Sequence, residues 1–285
     1  MKLFCALLLC VALADPLRVD TAAADDVASG QPQGIREHVP SVWALTGATV
    51  TPRPGETIHN ATIVIRQDRI ESVGANVKVP ADARVIDVSG RHIYAGFFDA
   101  MTAQSMSEDS TKSAARYWNS QIRPARRVAS DFKSDSSLNE TLRKQGVSAR
   151  LAAPAGQILK GFGAVVLTSN QPVQHAIVRA DVTQHARLTA SRNSDRSYPN
   201  SPMGAVALAR QAFYDAQWYE LAWRTANANP SLSRPERNED LAALNEVRTA
   251  NVPFVVDTSN ELFFLRADRF AKEFGLRLIV LGSGN

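Results

Sequence analysis

The residues of this chain with chemistry to offer are five histidines, an aspartate closing an apolar strand, and a glycine-rich run at the end. His38, His59, His92, His175 and His185 form no HxH or HExxH pair, so no metal site is written locally in the sequence. His175, His185 and Asp257 would make a three-donor site if the fold gathered them; taken singly, they read as surface or hydrogen-bonded side chains. Asp257 ends the apolar run of "VPFVVDTS", where a carboxylate could serve as a general base in a pocket or cap the next turn with Ser259. "GSGN", from Gly282 to Asn285, lacks the Lys-Ser/Thr ending of a phosphate loop, and Ser283 has no evident His or Asp partner for a nucleophilic triad. Arg123, Arg126 and Arg127 could meet an anion or form a solvated face with packed stems. Trp218, Tyr219 and Trp223 could line a groove, although their helical spacing reads first as core packing.

Two kinds of element must position these residues. From Val42 to Phe98 the pattern is β: "WALTGATVTP", the turn "RPGE", then "ATIVIRQDRIESVG" folding about Gln67 and Asp68, and finally "ARVIDVSGRHIYAGFFD". This reads as a small antiparallel sheet. After Asp99 comes a polar stretch, a helix near Leu138 to Gln145, then strand, loop and strand in "GVSARLAAPAGQILKGFGAVVLTSN". "PVQHAIVRADVTQHARLTA" extends the sheet or forms a hairpin. The next helix is capped by Ser201 with Pro202 in its first turn, and carries a stripe of Ala205, Ala209, Ala212, Ala216, Tyr219 and Trp223. A helix in "RPERNEDLAALNEVRTA" and the strand "VPFVVDTS" follow. Then come a helix with Phe263, Ala267, Phe270 and Phe274 on one face, stopped by Gly275, and the strand "LRLIVLGSGN". Strand, helix, strand in this rhythm predicts parallel βα units.

The chain has 285 residues, of which 45% are hydrophobic and 21% charged, enough for a substantial core. Its net charge of +4 comes from residues spread along the chain without a dense basic run, which weighs against a nucleic-acid partner. "MKLFCALLLCVALA" is too short to span a bilayer and is followed by small residues, so residues 1–24 read as an export signal. Cleavage after Ala24 competes with cleavage after Ala14. Either removes Cys5 and Cys10, leaving an exported, periplasmic or extracellular protein without disulfides. Residues 25–41 are a polar linker, and no later segment is apolar enough for a membrane span.

The β block from "ALTGATVTPRPGETIHNATIVIRQ" through "HIYAGFFDA", together with "NVPFVVDTSNELFFLRADRFAKEFGLRLIVLGSGN", resembles the amidohydrolase superfamily, especially its imidazolonepropionase-like branch. "YPNSPMGAVALARQAFYDAQWY" is similar to a segment of divergent secreted bacterial members. The resemblance implies an α/β fold: a small N-terminal β-sandwich, the composite domain, over 42–98, and a TIM-type (β/α)₈ barrel from residue 99. Chemistry would sit at the C-terminal strand ends. There one or two divalent metals, zinc among them, would activate water against carbon–nitrogen bonds other than peptide bonds.

Position by position, the resemblance implies a lost metal site. The family's Asp-x-His-x-His falls on Asp99 to Ala103, placing Met101 and Ala103 where ligands belong. The later histidines fall on Asp257 and Gly282. Only Asp257 keeps a donor, and it is the catalytic candidate; a soft thioether, a methyl and a bare backbone cannot hold zinc. No cofactor is therefore expected in this chain. The aligned strands stop at the sixth of eight, and residues 99–285 are fewer than the roughly 250 of a usual barrel, so the barrel is expected to be incomplete. The expectations are an amidohydrolase with little or no activity in this chain alone, or a non-catalytic unit that binds a ligand or partner. The implied partners are a small cyclic amide or dipeptide-like ligand, a downstream second amidohydrolase unit, or another copy through an unpaired sheet edge.

Overall fold

The computed structural model describes residues 41–107, 115–156, 158–190 and 197–282, and the chain divides into two units between Tyr94 and Ala95. The export signal, nearly all of the linker, His38 and Ser283 lie outside the described residues.

The N-terminal unit is a five-stranded sheet made of β1 (Val42–Arg53), β2 (Glu56–Arg66), β3 (Arg69–Gly74), β4 (Arg84–Asp87) and β5 (His92–Tyr94). The β2–β3 hairpin turns at Gln67 and Asp68, both at positive φ, the backbone that suits a tight hairpin between right-twisted strands. Its core is Ala48, Val50, Ala61 and Ile63 from β1 and β2. Two expectations are corrected here. The sheet is mixed, because β4 and β5 both run parallel to β1. The described residues of this unit also form one sheet, not two packed faces of a sandwich. The physical reason is the connection after β3: the chain passes to the far side of β1 instead of turning back beside β3.

The second unit contains β6 (Phe97–Gln104), α1 (Val128–Asp131), α2 (Ser136–Lys144), β7 (Val147–Pro154), β8 (Leu159–Leu167) and α3 (Val173–Ala176). It continues with β9 (Ile177–Ala186), α4 (Pro202–Ala228), α5 (Glu239–Thr249), β10 (Phe254–Asp257), α6 (Glu261–Phe274) and β11 (Leu278–Leu281). Phe97 and Phe98, read above with the β block, begin the first strand of this unit. Its six strands lie side by side in chain order, β6 to β11, as an open half-barrel.

The βα rhythm holds where the connection is long enough for a full helical crossover: β6 pairs parallel with β7, and β10 parallel with β9 and β11. It fails at β8, which is antiparallel to both neighbours. A parallel return needs a crossover of a dozen or more residues. The links from Pro154 to Leu159 and from Leu167 to Ile177 are too short, so β8 has to turn back.

The main core lies between this sheet and the helices α4, α5 and α6. Ala205, Ala209, Ala212 and Ala216 are all essentially inaccessible, so α4 lies close against the layer beneath it. Phe213 stands among them, edge-on to Phe254 and Phe270 with ring centroids 6.0 and 5.3 Å away. Ser201 caps α4 by accepting from Gly204 N, and Gly275 ends α6 in the left-handed conformation. Asp240, in the first turn of α5, accepts from the backbone amides of Tyr117 and Ala125 at 2.9 and 3.2 Å and so ties a distant loop to the helix layer.

Candidate functional site at the strand ends

Phe254 and Val256 face the helical core, so by strand alternation Val255 and Asp257 face the other side of the sheet. His185 lies opposite Val255 on β9 and therefore shares the face of Asp257. Because β8 runs backwards, its first residues reach the C-terminal ends of β9 and β10: Leu159 pairs with Ala186 and Gly161 with His185. The inverted strand thus delivers Lys160 to the same place.

There Lys160 Nζ donates to Asp257 Oδ2 at 2.5 Å, with the two side chains only 10% and 25% exposed. His185 is wholly buried beside them, and its Nε2 lies 2.8 Å from the Thr183 hydroxyl. Burial first, and the neighbouring Lys160 cation second, hold the His185 pKa down at about 4, with Asp257 pulling weakly the other way. The ring is therefore neutral at neutral pH. Asp257 Oδ1 and His185 Nδ1 are buried without a hydrogen-bond partner. Glycine is required alongside: a Cβ on Gly163 would stand 2.8 Å from His185 Nε2, 2.9 Å from Thr183 Oγ1 and 3.0 Å from the Ala152 carbonyl.

Several expectations resolve against this geometry. His175 is exposed in α3 at the far end of β9, so the three-donor set with His185 and Asp257 does not form; no three His, Cys, Asp or Glu residues gather among the described residues. Asp257 accepts from Lys160, and Asn260 caps α6 by accepting from Phe263 N. Met101 is half-buried and Ala103 exposed on β6, while Asp99 accepts from Met101 N and from the Thr102 hydroxyl. Gly282 is exposed, one residue past the Leu281 that pairs with Asp257.

Arg123 and Arg127 are held by contacts within the fold. Arg123 donates to the carbonyls of Asn119 and Ile122 at 2.9 and 2.7 Å, and Arg127 pairs with Asp181 and Glu246 over the Phe162 ring. Tyr219 is buried and accepts from Asn238 N, whereas Trp218 points outward, so they line no common groove.

The donor set does not fit a divalent metal. Zinc takes about four N, O or S donors at roughly 2.0–2.3 Å. The aligned positions supply a thioether, a methyl, a glycine and a carboxylate already neutralised by an ammonium group. Lys160, the partner of Asp257, belongs to no motif in the sequence. Its signal was a charged residue inside the apolar run "LKGFGAVVL", where lysine is almost never buried unless paired.

Hollows near these strands are modest. One of about 230 Å³, lined by Met106, Arg116, Arg126, Arg127 and Asp131 among others, lies past the end of β6. Two of about 400 and 480 Å³, sharing Arg143 and Ser169, open at the opposite strand ends.

No family model and no curated protein matches the sequence significantly. Among solved structures, an amidohydrolase from Thermotoga maritima MSB8 has a similar fold: the TM-score is 0.68 at 21% identity, over 83% of this chain and 63% of that one. A prolidase complexed with N-methylphosphonate-L-proline is 16% identical, with a TM-score of 0.34 over 80% of this chain and 59% of that one. A D-hydantoinase from a Thermus species is 12% identical, with a TM-score of 0.30 over 84% and 57%. Those two superpose too poorly to carry an argument. The chain spans less than two thirds of the length of each of these proteins. The likeness is one of fold.

Proposed function

We propose that the chain is a divergent unit of the amidohydrolase superfamily, from its imidazolonepropionase-like branch, in which metal-assisted hydrolysis of carbon–nitrogen bonds has given way to binding. The carrying observation is the Lys160–Asp257 pair: the one aligned position that keeps a donor has its charge satisfied from within the chain. Met101, Ala103 and Gly282 supply no zinc ligand in its place. The strand-end face would take a small cyclic amide or dipeptide-like molecule, whose carbonyl and N–H groups suit polar side chains at an otherwise apolar sheet end.

The same reading makes the protein exported, on the strength of its N-terminal apolar run, and places it beside a second, metal-bearing unit. No described helix is long and apolar enough to cross a membrane.

The test uses purified, monodisperse protein dialysed against trace zinc, then offered hydantoins, lactams and dipeptides. Zinc well below one equivalent, no turnover, and a thermal shift with one ligand class are expected. Zinc-dependent turnover that disappears in Asp257→Asn would overturn the proposal.

A further inference from the structure

We propose that Lys160 is a built-in substitute for a metal cation: its ammonium supplies the positive charge to Asp257, whose sheet face also carries the buried His185 on the neighbouring strand, and thereby closes a latent site for which these two side chains are the donors. This rests on the binding reading above and explains how the site came to need no ion.

Three observations support it. First, the ammonium is charge-paired and almost out of solvent, so it acts as a fixed internal cation instead of a surface charge. Second, Asp257 Oδ1 and His185 Nδ1 each keep an unused lone pair or proton in the interior. Buried polar atoms are normally satisfied, so two orphans beside one lysine mark an electrostatic centre whose partner is only partly replaced. Third, the lysine arrives from the antiparallel strand, at the level of His185 through the Gly161 pairing, and not from the strand-end positions where the metal donors stand.

Removing the ammonium would leave the Asp257 carboxylate beside the vacated volume, with the His185 imidazole on the same sheet face. Such a pair suits borderline ions that accept nitrogen and oxygen, such as Zn²⁺ or Co²⁺, with water completing the shell.

The experiment uses the full chain as wild type, Lys160→Met, Lys160→Gln, and each variant combined with Asp257→Asn. Zinc affinity is read by titration calorimetry and Co²⁺ geometry by visible absorption. A gain of roughly 10- to 100-fold over wild type is expected in both lysine variants, the range by which one supporting group alters metal affinity. Asp257→Asn should abolish the gain. A folded lysine variant that gains nothing overturns the inference, as does wild type binding zinc equally well through Asp257.

Reductive methylation of wild type covers the case in which neither variant folds. Lys160 should react far more slowly than Lys144 and Lys272, whose side chains are 75% and 76% exposed, and Asp257→Asn should speed it. Equal reactivity of all three overturns the inference. Zinc-dependent turnover by wild type would instead remove the non-hydrolytic reading on its own.

Discussion

Breaking the Lys160–Asp257 pair from either side should cost far more than removing it whole. Asp257→Asn strands an ammonium whose side chain is only 10% exposed, while Lys160→Met strands a carboxylate that is 25% exposed. Losing one member of a buried pair costs about 3–5 kcal/mol, because the remaining charge is left without compensation. Partial exposure of Asp257 lets water screen it, which brings the Lys160→Met cost toward about 2 kcal/mol. The double variant Lys160→Met/Asp257→Leu keeps the volume and removes both charges, so it should fall within about 1 kcal/mol of wild type. With Asp257→Leu as the carboxylate variant on both sides of the cycle, the coupling is then on the order of 5 kcal/mol. Urea unfolding followed by helical ellipticity measures it, because every described helix lies in the second unit. Additive single costs, with coupling below about 0.5 kcal/mol, would mean that the pair behaves as a screened surface contact and that the strand-end site has been misjudged.

Phe213→Ala removes a ring that is 1% exposed and touches Phe254, Phe270 and Phe274, and should cost about 3–5 kcal/mol in the same unfolding assay. Gly163→Ala pushes a methyl against His185 and Thr183 and should cost about 1–3 kcal/mol, while Gly55→Ala, with open space but positive φ, reports backbone strain alone. His185 is neutral in the fold, with its pKa depressed from 6.5 to about 4. Its stabilising contribution is therefore complete above pH 6.5 and is lost as pH falls toward 4; His185→Leu should flatten that limb of the stability profile by roughly 2–3 kcal/mol. Arg150 is buried on β7 with Nε and Nη1 unpartnered, its charge disfavoured by burial, and Phe132 5.9 Å from its guanidinium. Arg150→Met should accordingly be neutral or stabilising by about 1–3 kcal/mol in thermal melts.

Much of the fold was legible because its signals are local. The Ser201 cap, the alanine stripe of α4, the Gly275 stop and the Gln67–Asp68 turn depend on neighbours a few residues away, and all four stand where the sequence put them. Pairing direction was less legible. The sequence leaves the direction of β8 open between an extended sheet and a hairpin; its antiparallel pairing follows from connectors too short for a crossover. The site was half legible. Asp257 could be placed at a strand end, but its partner stands 97 residues earlier, on a strand whose direction the sequence leaves open. His175 and His185 looked like a pair on paper and are separated by the length of β9.

The order of the six strands has a consequence for how the chain is made. Each strand from β7 to β11 hydrogen-bonds to the strand synthesised immediately before it, so a growing chain can add one ladder at a time as it leaves the ribosome, without waiting for distant sequence. The exception is the loop around Tyr117 and Ala125, whose amides have no carboxylate until Asp240 emerges more than a hundred residues later. That late clasp would make the arrival of α5 the step at which a provisional stack of strands becomes a committed layer, and Asp240 the residue whose loss delays maturation most.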